Sequence, residues 1–332
     1  RVRSRSLDAA VKPGFAGLDA ANFGGGVRLS DGELEAGAPD AAYDVAKGTM
    51  RLVAGPAGAG AQVTDSRATI EARVIDITLE GQSLVAETDV RSLLKASSRE
   101  TAGAGGPRRP GMLKDDQPVN VTAAHLAYDS ASGRATYTGD ARLWQGETAV
   151  QGATIVLDDR KGNLTASGGV RSSWRLLDTD PKTQVSAMKT TVATGADLVY
   201  EDELRRATYT TDARMNGPEG DLRAQKIELY LAPDGDRLER LEAHTDVTLH
   251  TEHRESTGAR LSYFAADDRY VMATAPGAPE VRILEQLPQE CRETLGKTLT
   301  FHRATDTIAV DGSDERRTQT TSGGKCPEPR IR

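Results

Sequence analysis

The stretch that decides the fold is AHLAYDSASGRATYTGDARL, residues 124–143. Much of it returns as ADLVYEDELRRATYTTDARM at residues 196–215, and the tyrosines at 128 and 137 recur 72 residues later, at 200 and 209. Self-similarity at a fixed period is typical of repeat proteins whose units stack on one another. The sequence therefore predicts a repeat architecture.

A second module follows the first and occurs at residues 75–90, 155–170 and 227–247. In each copy apolar residues alternate with charged residues or threonine, and this period of two indicates strands with one buried face. The residues between the strands, such as Asp158–Asn163 and Ala232–Asp236, are rich in Gly, Asn, Pro and Asp, as tight turns require. The predicted fold is all-β, with antiparallel hairpins stacked into a solenoid that has an apolar inner face. Helix content is expected to be minor, and residues 285–295, near Pro288, are the one candidate for a short helix.

Composition excludes several classes of function. Of the 332 residues, 37% are hydrophobic, which is enough for a buried core, and the formal net charge of −7 offers no basic stripe for a nucleic acid. Runs of about 18 apolar residues, which a membrane-spanning helix needs, do not occur in the sequence. Only 4% of the residues are aromatic, which argues against the stacking of sugars on one face.

Residues 96–118 interrupt the repeats with clustered glycines and prolines, which cannot sustain a ladder of strands. We interpret this segment as a linker or long loop. It divides an N-terminal β unit, residues 15–95, from a larger β unit, residues 119–312, and a tail at 313–332 follows.

Both cysteines, Cys291 and Cys326, lie near the C-terminus and are compatible with one disulfide; two free thiols are the alternative. A disulfide would indicate an oxidising compartment such as the periplasm. The sequence starts at Arg1 without an apolar leader, which suggests that a targeting segment has been removed.

Catalytic and metal-binding patterns are not found, and we expect neither an enzyme nor a cofactor. His250 and His253 would face opposite sides of a strand and form a poor chelate. The Asp158–Asp159 and Asp267–Asp268 pairs occupy turn positions. Trp144 and Trp174 each follow a repeat strand and fit either rim contacts for a ligand or caps of the core.

The order of these elements resembles a known family. Residues 123–146, and their continuation through 152–170, are similar to the OstA-like domain of lipopolysaccharide-transport proteins. The N-terminal unit matches more loosely and could correspond to the inner-membrane-anchored member of that system. The resemblance implies a β-jellyroll, also called a β-taco, that bridges two membranes in the periplasm. It leaves open a tether to the inner membrane through a segment that this chain lacks.

If the two walls of such a fold separate, the inner face becomes a groove in which the acyl chains of lipid A replace protein side chains as packing partners. The open ends of the sheet would join other transport components head to tail by strand addition. A structural or carbohydrate-binding surface solenoid with a closed core is the alternative. The predicted lipid-binding residues are Ile75, Ile77, Leu79, Leu84, Val90, Leu126, Tyr128, Leu143, Ile155, Leu157, Leu164, Val170, Leu198, Tyr200, Ile227, Leu229, Leu241 and Val247.

Overall fold

A computed structural model describes residues 1–56, 58, 60–79, 83–96, 108–180, 183–218, 220–251, 253–288, 290–305, 307–312, 317–323 and 326. The chain forms two compact units, Arg1–Gly168 and Gly169–Arg332. One strand, β15, runs through the boundary at Gly168. The predicted boundary at 96–118 stays a prediction.

The described part of unit 1 consists of antiparallel strands and a 3-10 turn at Pro13–Phe15. The strands are β1 (Val2–Arg3), β2 (Ser6–Val11), β3 (Leu18–Gly24), β4 (Val27–Asp31), β5 (Leu34–Ala38), β6 (Asp40–Asp44), β7 (Thr49–Val53), β8 (Ala61–Thr64), β9 (Ala68–Ala72), β10 (Val74–Thr78), β11 (Ser83–Leu94), β12 (Val119–Asp129), β13 (Arg134–Gln145), β14 (Thr148–Asp158) and the start of β15 (Asn163–Thr179).

The short strands of unit 1 form two separate antiparallel ladders that meet at β11. One ladder, wall 1, runs β2–β3–β6–β7–β10 and pairs with residues 83–87 of β11. The other, wall 2, runs β1–β4–β5–β8–β9 and pairs with residues 91–94 of β11. From β11 onward each long strand contributes one half to each wall.

Unit 2 has the same plan in reverse order. Its strands are β16 (Ser186–Glu201), β17 (Arg206–Gly217), β18 (Gly220–Leu231), β19 (Leu238–His250), β20 (Arg254–Phe264), β21 (Arg269–Ala273), β22 (Val281–Gln286), β23 (Cys291–Gly296), β24 (Thr298–His302), β25 (Thr307–Asp311) and β26 (Gln319–Gly323). After β20 the ladders separate: wall 1 of this unit ends in β21–β24–β25 and wall 2 in β22–β23–β26.

A bulge marks the place where each odd-numbered long strand passes from one wall to the other. In β13, Gly139 and Asp140 lie opposite the single residue Ala153, because the register jumps from Thr138↔Thr154 to Ala141↔Gly152. Both bulge residues have positive φ, 83° and 49°. A bulge of this kind bends its strand. The equivalent pairs are Thr88–Asp89 in β11, Thr211–Asp212 in β17 and Thr245–Asp246 in β19, and Gly168–Gly169 of β15 also has positive φ at both residues.

The predicted fold class, all-β with successive antiparallel hairpins, is confirmed. The predicted helix at 285–295 is wrong, because its residues form β22 and β23, which pair with each other from Val281↔Gly296 to Gln286↔Cys291. Charged and apolar residues alternate there, and Pro288 lies in the intervening turn. Among the described residues, no helix is long and apolar enough to cross a membrane.

The structure joins Cys291 to Cys326 in a disulfide with a Cα–Cα distance of 4.8 Å. Cys291 is the first residue of β23 and faces Gly323, the last residue of β26. The covalent link therefore lies beside the end of the β23–β26 pairing.

Candidate functional site

The interior between the two walls holds most of the residues predicted to bind lipid. Sixteen of the eighteen are buried, with at most 7% of their surface exposed. The other two, Leu79 and Tyr128, are half-buried. Period-two alternation thus places the apolar residues of the long strands inside, where in this structure they pack against other side chains. The sixteen are Ile75, Ile77, Leu84, Val90, Leu126, Leu143, Ile155, Leu157 and Leu164 in unit 1 and Val170, Leu198, Tyr200, Ile227, Leu229, Leu241 and Val247 in unit 2.

The walls of unit 2 face each other. Tyr209 is paired with Leu198 in wall 1, and Ser172 lies against the carbonyl oxygen of Ala193, which belongs to wall 2. Leu198 and Ala193 are about 16 Å apart along an extended strand. Nevertheless the Tyr209 hydroxyl lies 2.5 Å from Ser172 Oγ. This contact requires the sheet of unit 2 to fold over at the bulges.

A buried polar cluster bridges these walls. Trp174 Nε1 donates to both Ser172 Oγ, at 2.9 Å, and the Tyr209 hydroxyl, at 2.7 Å. Burial raises the pKa of Tyr209 far above its ordinary value, against the opposing effect of its hydrogen bonds with Ser172 and Trp174. The phenol is therefore neutral at all physiological pH values. From the sequence, Trp174 was expected at a rim or as a cap of the core, and the cluster was missed. The available signal was Ser172, a polar residue at a position of β15 where the alternation predicts a buried apolar side chain.

Unit 1 contains a related arrangement one repeat earlier. Tyr137 is buried in wall 1, and its pKa is raised to about 12 by burial, with an opposing effect of the Ser92 hydroxyl in wall 2. Ser92 Oγ nevertheless makes no hydrogen bond of normal geometry. The walls of unit 1 therefore approach each other at the equivalent tyrosine without the closed hydrogen-bonded cluster.

The mouth of unit 1, the side away from the bulges, is crossed by Tyr128, Asp159 and Arg67. The Tyr128 hydroxyl donates to Asp159 Oδ2 at 3.2 Å, and Arg67 Nη1 lies 3.8 Å from the same carboxylate oxygen. Arg67 belongs to the β8–β9 turn of wall 2, while Asp159 follows β14 in wall 1. Burial and Asp159 raise the pKa of Tyr128 against the opposing effect of Arg67. Tyr128 is thus a rim residue rather than an interior one.

The described end of the 96–118 segment packs against β13. Met112 and Leu113 are buried, with 6% and 4% exposure. The buried amide of Gln145 accepts from the backbone N–H of Lys114 at 2.6 Å and donates to the carbonyl oxygens of Lys114 and Gln117. These contacts fix residues 112–117 to unit 1; residues 97–107 lie outside the described part of the chain.

A cleft of about 760 Å³ opens at the mouth of unit 2. Its apolar lining reaches the interior and includes Leu176, Leu222, Leu241 and Leu261. At its edge Asp178 forms an ion pair with Lys189 at 2.7 Å and accepts a hydrogen bond from Arg303 at 3.2 Å. Although burial acts in the opposite sense, these two cations lower the pKa of Asp178. The ion pairs connect the end of β15 with β16 and with the β24–β25 turn.

The outer face of unit 2 carries an ionic network around Glu228. Its carboxylate lies 3.2 Å from Lys226 Nζ, 3.4 Å from Arg206 Nη1 and 3.1 Å from His244 Nε2. Burial raises the pKa of Glu228, but the three neighbours lower it by more than burial raises it. The pKa of Glu228 therefore lies below its ordinary value. Within the described ranges, no three or more His, Cys, Asp or Glu residues are grouped as metal ligands.

Comparison with known proteins identifies the class of the repeat region. Residues 120–231 match the family model described as LptA/(LptD N-terminal domain) LPS transport protein. These residues, about a third of the chain, contain both copies of the repeat quoted first. The predicted family is confirmed.

Among solved structures, the chain is similar to LptH, described as the LptA homologous periplasmic component of the lipopolysaccharide transport device from Pseudomonas aeruginosa. The two share 23% sequence identity over 37% of this chain and 80% of that chain, with a TM-score of 0.30. A search of the curated proteins found no match.

Proposed function

We propose that this protein carries lipopolysaccharide through the periplasm and shields the acyl chains of lipid A between the two walls of its sheet. The observation that carries the proposal is the coincidence of two features in one region. Residues 120–231 match the transport family, and the same residues line an interior that is mainly apolar. The eighteen residues predicted from the sequence remain the proposed lipid contacts, with Tyr128 at the rim.

Transfer of acyl chains into such an interior is favourable by about 0.8 kcal/mol for each buried methylene. A chain of about a dozen carbons would thus gain up to roughly 8 kcal/mol. Part of this gain is offset, because the interior side chains of each unit, such as Leu157 in unit 1 and Leu229 in unit 2, already pack against neighbours within their own unit and must separate from them. The net affinity is the difference between lipid packing and self-packing.

Loading therefore requires the mouths to open. In unit 1 the Arg67–Asp159 contact must break, and in unit 2 the Arg303–Asp178 ion pair must break. Exposed ion pairs contribute about 1 kcal/mol or less, and these pairs are only partly buried. The mouths are consequently easier to separate than the bulged sides, where each long strand passes covalently from one wall to the other.

The ends of the sheet offer partner sites for other transport components. Among the described residues, β2 pairs with β3 alone, and all six of its residues are exposed, including Leu7 at 60%. In unit 2, β25 pairs with β24 alone and β26 with β23 alone. Unpaired strand edges add strands from other chains. Head-to-tail joining at these edges would make the protein a bridge between the two membranes.

Site-specific photocrosslinking to lipopolysaccharide tests the proposal. A benzoylphenylalanine at Leu229, which is fully buried in wall 1, should label lipid A, while the same group at Val199, an outward-facing neighbour of Leu198 with 40% exposure, should not. Circular dichroism establishes that each variant is folded.

A second measurement leaves the interior unchanged. In a Trp144→Phe variant, Trp174 is the single remaining tryptophan, and lipopolysaccharide with brominated acyl chains should quench its fluorescence. Equal labelling at positions 229 and 199 together with unquenched Trp174 would refute lipid binding between the walls.

The closed interior favours one second candidate, a structural or carbohydrate-binding solenoid. The sixteen interior residues are as inaccessible as those of a permanent core. Such a protein would show neither interior labelling nor quenching, and bound acyl chains would not stabilise it against unfolding. The same two experiments thus separate the candidates.

A further inference from the structure

The polar cluster of unit 2 is unusual because it lies inside an otherwise apolar interior. Ser172 and Trp174 are 1% exposed and Tyr209 is 0% exposed. Burying hydroxyl and indole N–H groups is unfavourable unless each donor has an acceptor. A purely structural core would be served equally well by Phe and Ala at these positions.

Within the described part of the chain, the three donors of the cluster are satisfied by one another and by one backbone carbonyl. Trp174 Nε1 is shared between Ser172 Oγ and the Tyr209 hydroxyl. The Ser172 hydroxyl can donate to Ala193 O at 3.4 Å, which leaves Ser172 Oγ to accept from Tyr209 at 2.5 Å. Any ligand that separates Tyr209 in wall 1 from Ser172 and Trp174 in wall 2 must therefore supply acceptors of its own.

The cluster also lies next to the cleft at the mouth of unit 2. Ser172, Trp174 and Leu176 alternate along β15 and are all buried, so their side chains share one face of the strand. Leu176 lines the cleft, and Trp174 is about 7 Å further along the strand. A chain that enters through the cleft would meet apolar side chains first and then these three donors.

We propose that Ser172, Trp174 and Tyr209 form a polar subsite that selects acyl chains carrying an oxygen, as a hydroxyl or an ester, over plain hydrocarbon chains. The inference rests on the proposed function, since it assumes that chains enter between the walls. A chain oxygen accepts from Tyr209 and Trp174 when the walls separate, whereas a plain chain leaves these donors without acceptors. Discrimination of this kind is strong because unpaired buried donors are costly.

A matched pair of ligands tests the subsite: octadecanoate and 12-hydroxyoctadecanoate, titrated into the full chain below their critical micelle concentrations by isothermal calorimetry. We expect the wild-type protein to bind the hydroxylated chain at least 5-fold more tightly. Tyr209→Phe and Ser172→Ala should each reduce this preference to less than 2-fold while they leave the affinity for octadecanoate the same or higher. Trp174 emission should shift on binding of the hydroxylated chain only.

Tyr137→Phe is the matched control, because Tyr137 occupies the equivalent position one repeat earlier without a closed cluster, and it should retain the preference. Thermal melts establish that each variant is folded. Equal affinities of the wild-type protein for the two ligands, or an unchanged preference in both Tyr209→Phe and Ser172→Ala, would overturn the subsite while leaving lipid binding intact. Failure of the wild-type protein to bind either chain would instead overturn the proposed function, and the subsite with it.

Discussion

Replacing Gly139 by threonine tests whether the bulge of β13 sets the bend of the sheet. Gly139 has a φ of 83°, and a Cβ built there would lie 2.5 Å from the Cβ of Ala124 on the neighbouring strand. The left-handed conformation costs a residue other than glycine about 1–2 kcal/mol. The overlap adds to this, because carbon atoms pack best at about 3.5–4.0 Å. Together these effects predict a loss of about 2–4 kcal/mol in the free energy of unfolding.

The loss is measured by urea unfolding followed by far-ultraviolet circular dichroism, and the melting temperature should fall by roughly 6–12 °C. The chain supplies its own control: position 211 is the equivalent site 72 residues later and already carries a threonine, at a φ of 62°. Thr211→Gly should therefore change stability by less than about 1 kcal/mol.

A double-mutant cycle separates the overlap from the backbone strain. On an Ala124→Gly background the Cβ that causes the overlap is absent, so Gly139→Thr should cost only the 1–2 kcal/mol of left-handed strain. If Gly139→Thr were as stable as the wild-type protein, the bulge would not constrain the strand. If its cost were the same on both backgrounds, the close approach to Ala124 would be irrelevant.

Three further predictions follow from the packing and charges. Leu229→Ala, at a fully buried interior site, should lower the free energy of unfolding, measured in urea, by about 2.7–5 kcal/mol. Val199→Ala, at a site that is 40% exposed, should lower it by no more than about 0.5 kcal/mol. Comparable losses in the two variants would contradict strands with one buried and one exposed face. Glu228→Gln should cost about 1.5–3 kcal/mol at pH 7. The pKa of Glu228 in the folded protein lies below the ordinary 4.5, so the stabilisation by its carboxylate is present above pH 4.5 and is lost as the pH falls through the folded pKa. The Glu228→Gln variant should therefore lose less stability than the wild-type protein between pH 7 and pH 3. Equal losses in the two proteins would refute this. Cys291→Ser opens a loop of 35 residues closed by Cys326 and should cost about 4 kcal/mol, with a urea midpoint that no longer depends on reductant; a variant as stable as the oxidised protein would be inconsistent with the link.

Much of the fold was predictable because the repeat states the pattern twice. The alternation around Tyr137 and Tyr209 predicts which residues face inward, and both tyrosines are buried within wall 1 of their units. The family resemblance rested on the same residues and is confirmed. Period two decides the inner face of a strand regardless of how the strands are arranged, so the interior residues follow from the sequence alone.

The bend was less visible from the sequence. Gly139–Asp140 and Thr211–Asp212 stand in the repeat, but local patterning does not reveal that such a pair adopts positive φ and moves the chain from one wall to the other. The pairing of the short strands at the start of unit 1 could not be predicted either, because pairing between strands that are distant in the sequence depends on three-dimensional contacts. Leu79 and Tyr128 lie at the edge of the interior because Leu79 follows β10 in a turn and Tyr128 is next to the last residue of β12.

Placement of the polar cluster could not be predicted for a related reason. Ser172, Trp174 and Tyr209 meet only because two halves of a sheet face each other, and no spacing within one strand indicates that. The helix expected at 285–295 failed because its apolar residues are too few to distinguish the two periods over a short segment.

The alternation of bulged and unbulged strands limits how such a chain can change its length. Insertion of a single strand would place two bulged or two unbulged strands side by side, and the line of bulges between the two walls would then be interrupted. Insertion or loss of a whole hairpin adds or removes one bulged and one unbulged strand, so the alternation at the bend is preserved. Relatives of different length should accordingly differ by even numbers of long strands. A duplicated hairpin is the smallest change by which the sheet can be extended.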